Sequence, residues 1–515
     1  MTNPREALLE ELVPKGEGTP FGLWQDVRVR GLSTDSRRTS PGDLFVGLPG
    51  GLTHGGLYAA QALSCGAAAV VLPPGLEPPP GAVGLWHERP FTLLAEAALR
   101  FYRQPARSMT VVGVTGTNGK TTTALLVAHL LAAAGNRCAY WTTTLVRLPH
   151  VNFRPQWTTP PAHELQRFLA SALERGHDHA VLEVSSHAVR QERVRGVAFR
   201  AGVATNFSPD HLDYHGSVED YYEAKRDFIR GLPAGAAAVL SADDPRIFAM
   251  GAGVRADVVS FGEDVRADVR LRELSQQDGE LTGSLLVQRR DLASAGPFPF
   301  RLPMPGRHNG MNAAAAFAVA VHLGIPPEEA AAAFRSFTAP PRRLERQDVG
   351  PYVIYNDVAM NEASYHAVLR TIRDLGPRQV VVVCALRGNR GAEVNARIAS
   401  ILAGWEPQLG YAPLIVSESR SDLREYAVDY QVRADEIAAF SEAARQGGLA
   451  LSRHLELPSA IEEAVGRLAE GGVLLLLGTF GMDRGPAIAR ALLSKRLGLP
   501  DERKGGYLEP HEADY

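Results

Sequence analysis

The stretch that decides the fold of this chain is Val111-Val-Gly-Val-Thr-Gly-Thr-Asn-Gly-Lys-Thr-Thr-Thr123. An apolar run from Met109 to Val114 precedes the last two glycines, and the apolar segment Ala124–Ala134 follows them. This order predicts a buried strand, a glycine-rich loop and a helix. Glycines let backbone N–H groups approach an anion, and the helix N-terminus adds partial positive charge. Lys120 would reach the terminal phosphates of a nucleotide, and the Thr121 hydroxyl would meet Mg²⁺.

The glycine spacing departs from the strict phosphate-loop pattern, which places a glycine where this chain has Val114. The alternative is a glycine-rich turn that opens a core helix carrying a surface lysine. The coincidence of strand, loop, Gly-Lys-Thr and helix favours the phosphate loop. The loop residues predicted to contact the nucleotide are Gly116, Thr117, Asn118, Gly119, Lys120, Thr121 and Thr122.

Length and composition limit the class of protein. A chain of 515 residues with 45% hydrophobic content should hold about three domains with sizeable cores. The formal net charge of −3 argues against a broad nucleic-acid-binding surface. Three cysteines, Cys65, Cys138 and Cys384, show no CxxC spacing, which suggests a reducing compartment. No uncharged apolar stretch is long enough to span a membrane. We therefore expect a cytoplasmic protein without a nucleic-acid or membrane partner.

Alternating apolar strands and helices predict an α/β protein of three domains. Residues 1–107 form the first, and residues 108–338 form the central domain, with a parallel sheet covered on both faces. Residues 339–498 repeat the alternation as a Rossmann-like domain, and 499–515 is a polar tail. Within the central domain we predict a strand at 138–143, antiparallel runs within 258–303 and a helix at 312–323.

Two polar segments follow apolar strands of the central domain. Glu183-Val-Ser-Ser-His187 ends one strand, at the edge of a parallel sheet where ligands bind. Glu183 can hold Mg²⁺; the alternative is a strand end with a helix-capping serine. Asn206-Phe-Ser-Pro-Asp-His-Leu-Asp-Tyr-His215 follows the next strand and suits metal or phosphate binding, or is a polar loop with capping aspartates. Lys225, on the following helix, would be a surface lysine on bare sequence.

These blocks resemble the Mur ligases, the ATP-dependent amide-forming ligases of peptidoglycan precursor synthesis. The resemblance is strongest to the branch that adds the third residue to UDP-N-acetylmuramoyl-L-Ala-D-Glu. Thr34-Asp-Ser-Arg37 and Pro41-Gly-Asp-Leu-Phe45 resemble its nucleotide-sugar domain. The central domain is matched by Gly113–Thr122, Thr158-Thr-Pro160, Glu183–Gln191 and Asn206–Lys225.

The resemblance implies ATP and Mg²⁺ as cofactors, with a UDP-MurNAc-dipeptide and a free amino acid as substrates; we expect a monomer. It implies that Lys120 contacts the β- and γ-phosphates and that Thr121 and Glu183 join the metal site. His211 would hold a second Mg²⁺ together with Lys225, carbamylated in the family. Arg343 would swing onto ATP. The other implied residues are Asn309 and Asn312 near adenine, Asp357 near the nucleotide, Ser36 and Arg37 at the uridine end, and Thr158, Thr159, Ser185, Gln191 and Arg193 along the muramoyl peptide.

The third domain departs from the family pattern. Asp357-Val-Ala-Met-Asn-Glu362 stands where the family has Asp-Tyr-Ala-His-Thr-Pro, so Met360 replaces a histidine. Ala385–Gly391 replaces a glycine-rich segment, and Gly478-Thr-Phe-Gly-Met-Asp483 replaces Gly-Lys-Gly-His-Glu. Ser417-Glu-Ser-Arg-Ser-Asp422 occupies the place of the Asp-Asn-Pro-Arg that marks diaminopimelate users.

This domain supplies the pocket for the incoming amine, so we expect a different amino acid or acceptor arrangement from the diaminopimelate enzymes. A diamine such as lysine or ornithine needs an acidic partner for its distal ammonium. Glu418, Asp422 and Asp483 are the candidates; the alternative is that they are solvated surface acids. Two other functions stay open: the same chemistry on a different carboxylate and amine pair, and a catalytically weakened nucleotide-binding paralogue.

Overall fold

Three β-sheets organise the chain. The computed structural model describes residues 6–51, 53–148, 151–292, 294, 296–424 and 430–500. The tail beyond residue 500 lies outside the described residues. The first sheet, in spatial order, contains Thr19–Phe21, Gly84–Trp86, Ala69–Leu72, Asp43–Val46 and Gly31–Ser33. Its helices are Leu9–Leu12, Ala59–Ser64 and Pro90–Phe101, and Ala7–Leu8 pairs with Arg28–Val29 beside it.

The second sheet has eleven strands and carries the phosphate loop. In spatial order they are Val151–Phe153, Val146–Leu148, Cys138–Trp141, His179–Glu183, Thr110–Thr115, Phe199–Ala204, Ala237–Ser241, Asp257–Gly262, Val269–Gln277, Glu280–Val287 and Gly296–Leu302. The strand before the phosphate loop, Thr110–Thr115, has parallel neighbours on both sides. The helices are Lys120–Ala133, Ala162–Glu174, Ser186–Arg190, Leu212–His215, Val218–Arg230, Pro245–Ala249, Arg307–His322 and Pro327–Ala333.

The central sheet is buried on both faces, as predicted. Helices Lys120–Ala133 and Arg307–His322 pack together on one face. The second of these is rich in fully buried alanines, so the two helices approach closely. The helices Ala162–Glu174 and Val218–Arg230 contribute to the core on the other face.

The third sheet has six strands, in the order Glu345–Val349, Tyr352–Asp357, Val473–Gly478, Val380–Ala385, Leu414–Ser417 and Leu451–His454. Only Glu345–Val349, at the edge, is antiparallel to its neighbour. The helices are Glu362–Leu375, Ala392–Leu409, Arg420–Leu423, Ala434–Gln446, Leu457–Arg467 and Gly485–Leu497. The fold class is thereby confirmed: α/β, with three mostly parallel sheets. The exact domain boundaries stay a prediction. Among the described residues, none of the helices has the length and apolar character that crossing a membrane requires.

Several element bounds differ from those predicted. The helix expected at 312–323 begins at Arg307, and the strand expected at 138–143 ends at Trp141. That strand ends early because Thr142 turns to donate its hydroxyl to the Leu145 carbonyl. The first strand within 258–303, Asp257–Gly262, is parallel to its neighbour, not antiparallel as expected.

Candidate active site

A cleft of about 870 Å³ lies where the central and third domains face each other. Its floor is the phosphate loop, and its third-domain wall includes Asp357, Ser364 and Arg370. Most of the predicted site residues line it. They are Thr117, Asn118, Gly119, Lys120, Thr121, Thr122, Thr158, Thr159, Glu183, Ser185, Arg193, His211, Asn309, Asn312, Arg343 and Asp357.

The phosphate loop needs its glycines for two reasons. Gly119, the residue before the helix, has φ of 85°, a backbone conformation that residues with a side chain rarely adopt. A Cβ atom at Gly119 would also overlap the Asn312 side chain. Gly116, with φ of 136°, packs in the same way against the Thr205 hydroxyl. The loop is therefore held tightly between helix Arg307–His322 and the end of strand Phe199–Ala204.

Two lysines meet at one carbonyl oxygen beneath this loop. Lys120 Nζ donates to the carbonyl oxygens of Gly116 and Thr117, both at 3.0 Å. Lys225 Nζ donates to the same Gly116 oxygen at 2.9 Å and is only 1% exposed. Burial, and then the neighbouring Lys120, hold the pKa of Lys225 well below its usual value. Burial also lowers the pKa of Lys120, against the pull of Glu183 and Asp210. The bare-sequence interpretation of Lys225 as a surface lysine is wrong.

Glu183 ends its strand as a buried, oriented carboxylate. Its Oε1 accepts from the Thr143 backbone N–H at 2.6 Å, and its Oε2 accepts from the Thr143 hydroxyl at 3.0 Å. The same hydroxyl lies 3.0 Å from Thr158 Oγ1. Thr159 donates to the Glu183 carbonyl at 2.7 Å and accepts from the Ser185 N–H at 3.0 Å. The carboxylate and these hydroxyls therefore form one connected wall.

Three imidazoles cluster beside this wall, where His215 Nε2 lies 2.9 Å from the Ser186 hydroxyl. The ring centroids of His187 and His211 are 4.9 Å apart, and those of His187 and His215 are 5.4 Å apart. Burial, reinforced by the other two rings, lowers the pKa of His187 to about 3. Burial also lowers the pKa of His215 to about 4, and it lowers the pKa of His211 below its usual value. The rings are thus neutral near pH 7, the form that binds a metal ion.

The residues predicted to lie near the nucleotide are also close to one another or to the phosphate loop. Asn312 Nδ2 donates to Asn309 Oδ1 at 3.1 Å, and Asn312 Oδ1 accepts from the Thr123 hydroxyl at 3.2 Å. Arg343 Nη2 lies 3.4 Å from the Thr121 hydroxyl. Asp357 accepts from the backbone of Leu344 and Ala359, and burial raises its pKa.

Arg193 forms a platform at the cleft rim. Its guanidinium lies over the Trp157 ring at 5.1 Å and donates to the Thr159 carbonyl at 2.6 Å. Gln191 lies outside the cleft and orients this arginine, because its Oε1 accepts from Arg193 Nε at 3.0 Å. Gln191 also donates to the Tyr214 hydroxyl at 3.0 Å.

Seven further predicted residues do not line the cleft. Gly116 and Lys225 lie beneath its floor. Ser36 and Arg37 lie in the first domain, where Ser36 donates to Gln61 at 2.7 Å and Arg37 pairs with Asp35. The others are Glu418, Asp422 and Asp483 in the third domain.

Each of these three acids is paired with arginine. Glu418, 2% exposed, accepts from Arg420 at 2.8 Å and Arg453 at 3.1 Å. Asp422, 6% exposed, lies 3.4 Å from Arg484. Asp483 accepts from Arg154 at 2.9 Å and from Arg342. Burial excludes the alternative of solvated surface acids for Glu418 and Asp422.

Sequence reasoning gave no individual role to three residues that complete the cleft region. Thr143 orients Glu183, and Asp210, in the segment predicted to bind metal or phosphate, lies near both lysines. Asn361, from the third domain, contacts the phosphate loop. Asn361 and Ser364 form a capping box, a local signal that could have located helix Glu362–Leu375. The contacts of Asn361 across the cleft have no sequence signal.

The fold and this site define a nucleotide-dependent enzyme with a phosphate loop, an oriented carboxylate and a buried second lysine. Comparison with known proteins agrees. The Mur ligase middle domain matches residues 114–320, and the Mur ligase glutamate ligase domain matches residues 342–480. The UDP-N-acetylmuramoyl-L-alanyl-D-glutamate–2,6-diaminopimelate ligase of Synechococcus elongatus is 37% identical over 397 residues, covering 73% of this chain and 77% of the relative. The ligase of that name from Parasynechococcus marenigrum is 35% identical, covering 92% and 93%.

Solved structures share the architecture. A structure with the same ligase name superimposes with a TM-score of 0.61 at 22% identity, covering 92% of this chain and 96% of that one. The MurF ligase of Thermotoga maritima in complex with ADP gives a TM-score of 0.66 at 19% identity, covering 91% and 99%. The chain belongs to the Mur ligase family, and the resemblance seen in its motifs is confirmed. It is an acid–amino-acid ligase.

Proposed function

We propose that this ligase joins a diamino acid to UDP-N-acetylmuramoyl-L-Ala-D-Glu at the expense of ATP, in peptidoglycan precursor synthesis. The single observation that carries the proposal is the meeting of Lys120 and Lys225 at the Gly116 carbonyl, directly beneath the cleft that Lys120 and Glu183 line. The names of the most similar relatives supply the substrate. We place the enzyme in the cytoplasm as a monomer.

The chemistry has two steps. A substrate carboxylate oxygen attacks the γ-phosphorus of ATP, the bond to the β–γ bridging oxygen breaks, and ADP leaves, so that the carboxylate becomes an acyl phosphate. The amine of the amino acid then attacks the acyl carbon, loses a proton, and displaces phosphate to leave an amide. The first step brings several anions together. Lys120, on the loop, and Arg343, from the third domain, neutralise the negative charge that develops on the phosphoryl group in the transition state.

The donor set fits magnesium. The Thr121 hydroxyl and the Glu183 carboxylate are hard oxygen ligands in the cleft, and the neutral His211 ring lines the same cleft. Magnesium bound there would neutralise phosphate charge and screen the attacking carboxylate from repulsion.

Lys225 fits a carbamate. Carbamylation requires an unprotonated amine, and burial lowers the pKa of this lysine, which increases the fraction of the neutral form. The carbamate would convert a cation into an anion with two oxygens beneath the loop. With His211 it would hold the second Mg²⁺.

The remaining walls suit the muramoyl peptide. Thr158 and Ser185 offer hydroxyls next to Glu183, Thr159 holds Ser185 and the Glu183 carbonyl in place, and Arg193 offers a fixed guanidinium for a carboxylate. Gln191 would act through Arg193. Ser36 and Arg37 would hold the uridine end, and Asn309, Asn312 and Asp357 the nucleoside of ATP.

The pairing of Glu418, Asp422 and Asp483 with arginines affects which amino acid the enzyme can accept. A distal ammonium of lysine or ornithine would have to displace an arginine from Glu418, Asp422 or Asp483. Diaminopimelate carries a distal carboxylate as well as an ammonium, so the arginines themselves could receive it. The names of the relatives agree. We therefore favour diaminopimelate over lysine or ornithine, although the Asp-Asn-Pro-Arg segment is replaced.

A phosphate-release assay with a panel of amino acids tests the proposal. With UDP-MurNAc-L-Ala-D-Glu and ATP, release should depend on a diamino acid, and diaminopimelate should give the highest kcat/KM. Lysine or ornithine as the best acceptor would overturn our preference and leave the ligase assignment intact. Release with another carboxylate alone would move the chemistry to a different substrate pair. No amino-acid-dependent release would favour a nucleotide-binding paralogue.

A further inference from the structure

One third-domain side chain lies directly against the phosphate loop. Asn361 Nδ2 donates to Asn118 Oδ1 at 3.1 Å, and Asn118 Nδ2 donates back to Asn361 Oδ1 at 3.1 Å. Asn361 Nδ2 also donates to Asp210 Oδ2 at 2.9 Å. The two amides form a reciprocal pair, and the third contact adds a charged acceptor.

The third-domain end of this contact is fixed. Asn361 Oδ1 accepts from the Ser364 N–H at 3.0 Å and caps helix Glu362–Leu375. Arg390 donates to the neighbouring Met360 carbonyl at 2.9 Å. Asn361 therefore cannot move away from the loop without either losing its cap or taking the helix with it.

The central-domain end is fixed as well. The Asn118 backbone N–H donates to Asn206 Oδ1 at 3.0 Å, and its carbonyl accepts from Asn206 Nδ2 at 2.9 Å. The same carbonyl accepts from the Thr205 hydroxyl at 2.7 Å. Asp210 is held by the His211 N–H at 2.9 Å and acts electrostatically on Lys120 and Lys225.

We propose that Asn361 is a positioning residue that sets the docking of the third domain on the phosphate loop and on Asp210. The proposal rests on the proposed function, because it concerns closure around the same reaction. An amide suits this place since it donates to Asp210 and accepts from Asn118 at once. It leaves the charge of Asp210 available to the lysines.

The test is a charge-exchange cycle. Asn361→Asp keeps a good helix cap but sets a carboxylate against Asp210, so kcat/KM for ATP should fall by about 10- to 100-fold. Asp210→Asn alone should also reduce activity. In Asn361→Asp/Asp210→Asn the amide introduced at 210 can donate to the carboxylate introduced at 361, so activity should exceed the product of the two single effects by at least about 5-fold.

Solution scattering adds a readout that is independent of turnover. The radius of gyration should rise in Asn361→Asp and return towards the wild-type value in the double variant. Glu362→Gln is the matched control, because this exposed neighbour pairs with Arg397 of its own domain; it should leave both measurements unchanged. Additive kinetic losses, or unchanged scattering in Asn361→Asp, would overturn the proposal. A wild type inactive on the UDP-dipeptide would overturn the proposed function, while scattering still decides the role of Asn361.

Discussion

Replacing Lys225 by methionine should separate stability from activity. The substitution removes a buried amine and keeps an unbranched side chain beside the Tyr221 ring, which Lys225 Nζ now approaches to 4.3 Å from the centroid. It costs one hydrogen bond, worth about 1 kcal/mol. The Gly116 carbonyl keeps a donor, because Lys120 Nζ remains 3.0 Å away. No buried acceptor is left without a partner, so we expect the variant to fold.

The pH dependence of the free energy of unfolding gives the size of the expected effect on stability. The folded-state pKa of Lys225 lies well below 10.5, the value for an unperturbed lysine. Between these two values the unfolded chain binds a proton that the folded chain does not, so stability rises with pH. The slope is about 1.4 kcal/mol per pH unit for one proton. Lys225→Met has no titrating amine at this position, so its free energy of unfolding lacks this pH dependence. The variant should therefore exceed the wild type in stability most at low pH, and the difference should shrink as the pH rises towards 10.5.

The assay must isolate the central domain, since a three-domain chain need not unfold in one step. Urea unfolding between pH 7 and 9 in CO₂-free buffer, read by limited proteolysis of strand Thr110–Thr115, does so. Bicarbonate should then stabilise the wild type and not the variant, because only the wild type can form a carbamate. Parallel pH profiles of the two proteins would refute the argument that Lys225 is buried as a neutral amine.

Three further outcomes are expected. Lys120→Ala should abolish ATP turnover while UDP-MurNAc-dipeptide still binds by calorimetry; retained turnover would show that the loop is not the phosphate site. Lys225→Ala should lose activity, and short carboxylic acids should restore part of it; wild-type-like turnover without them would exclude the carbamate. Gly119→Ala should lose more than tenfold in kcat/KM for ATP, because the added methyl overlaps Asn312. Gly135→Ala is its control, with the same φ of 85° and open space around the Cβ position; equal losses in both variants would remove the role of Asn312.

Much of the fold was accessible from sequence because local signals and burial agree in the central domain. The apolar strand and Gly-Lys-Thr predicted the loop, and the strand ends predicted where Glu183 and His211 meet it. Lys225 could not be located from its neighbours, since its burial comes from packing against a carbonyl more than a hundred residues away. Only the resemblance to a family indicated its importance.

The third domain shows the opposite case. Its three acids are predicted from sequence as partners for an ammonium, and the fold pairs each of them with an arginine. Arg420 lies two residues from Glu418, but the other pairs join residues distant in sequence, as with Arg154 and Asp483, so composition alone does not reveal them. Helix Glu362–Leu375 is not predicted, although the capping box of Asn361 and Ser364 is a local signal for its start.

The alanine-rich helix Arg307–His322 has a wider consequence. Its small side chains let the helix beginning at Lys120 lie close, and Asn312 at its start touches Gly119. A single added methylene in the contact between these two helices would push them apart and tilt the phosphate loop. Variation far from any substrate can therefore retune nucleotide affinity, and this contact is a place to look for natural differences in turnover among relatives.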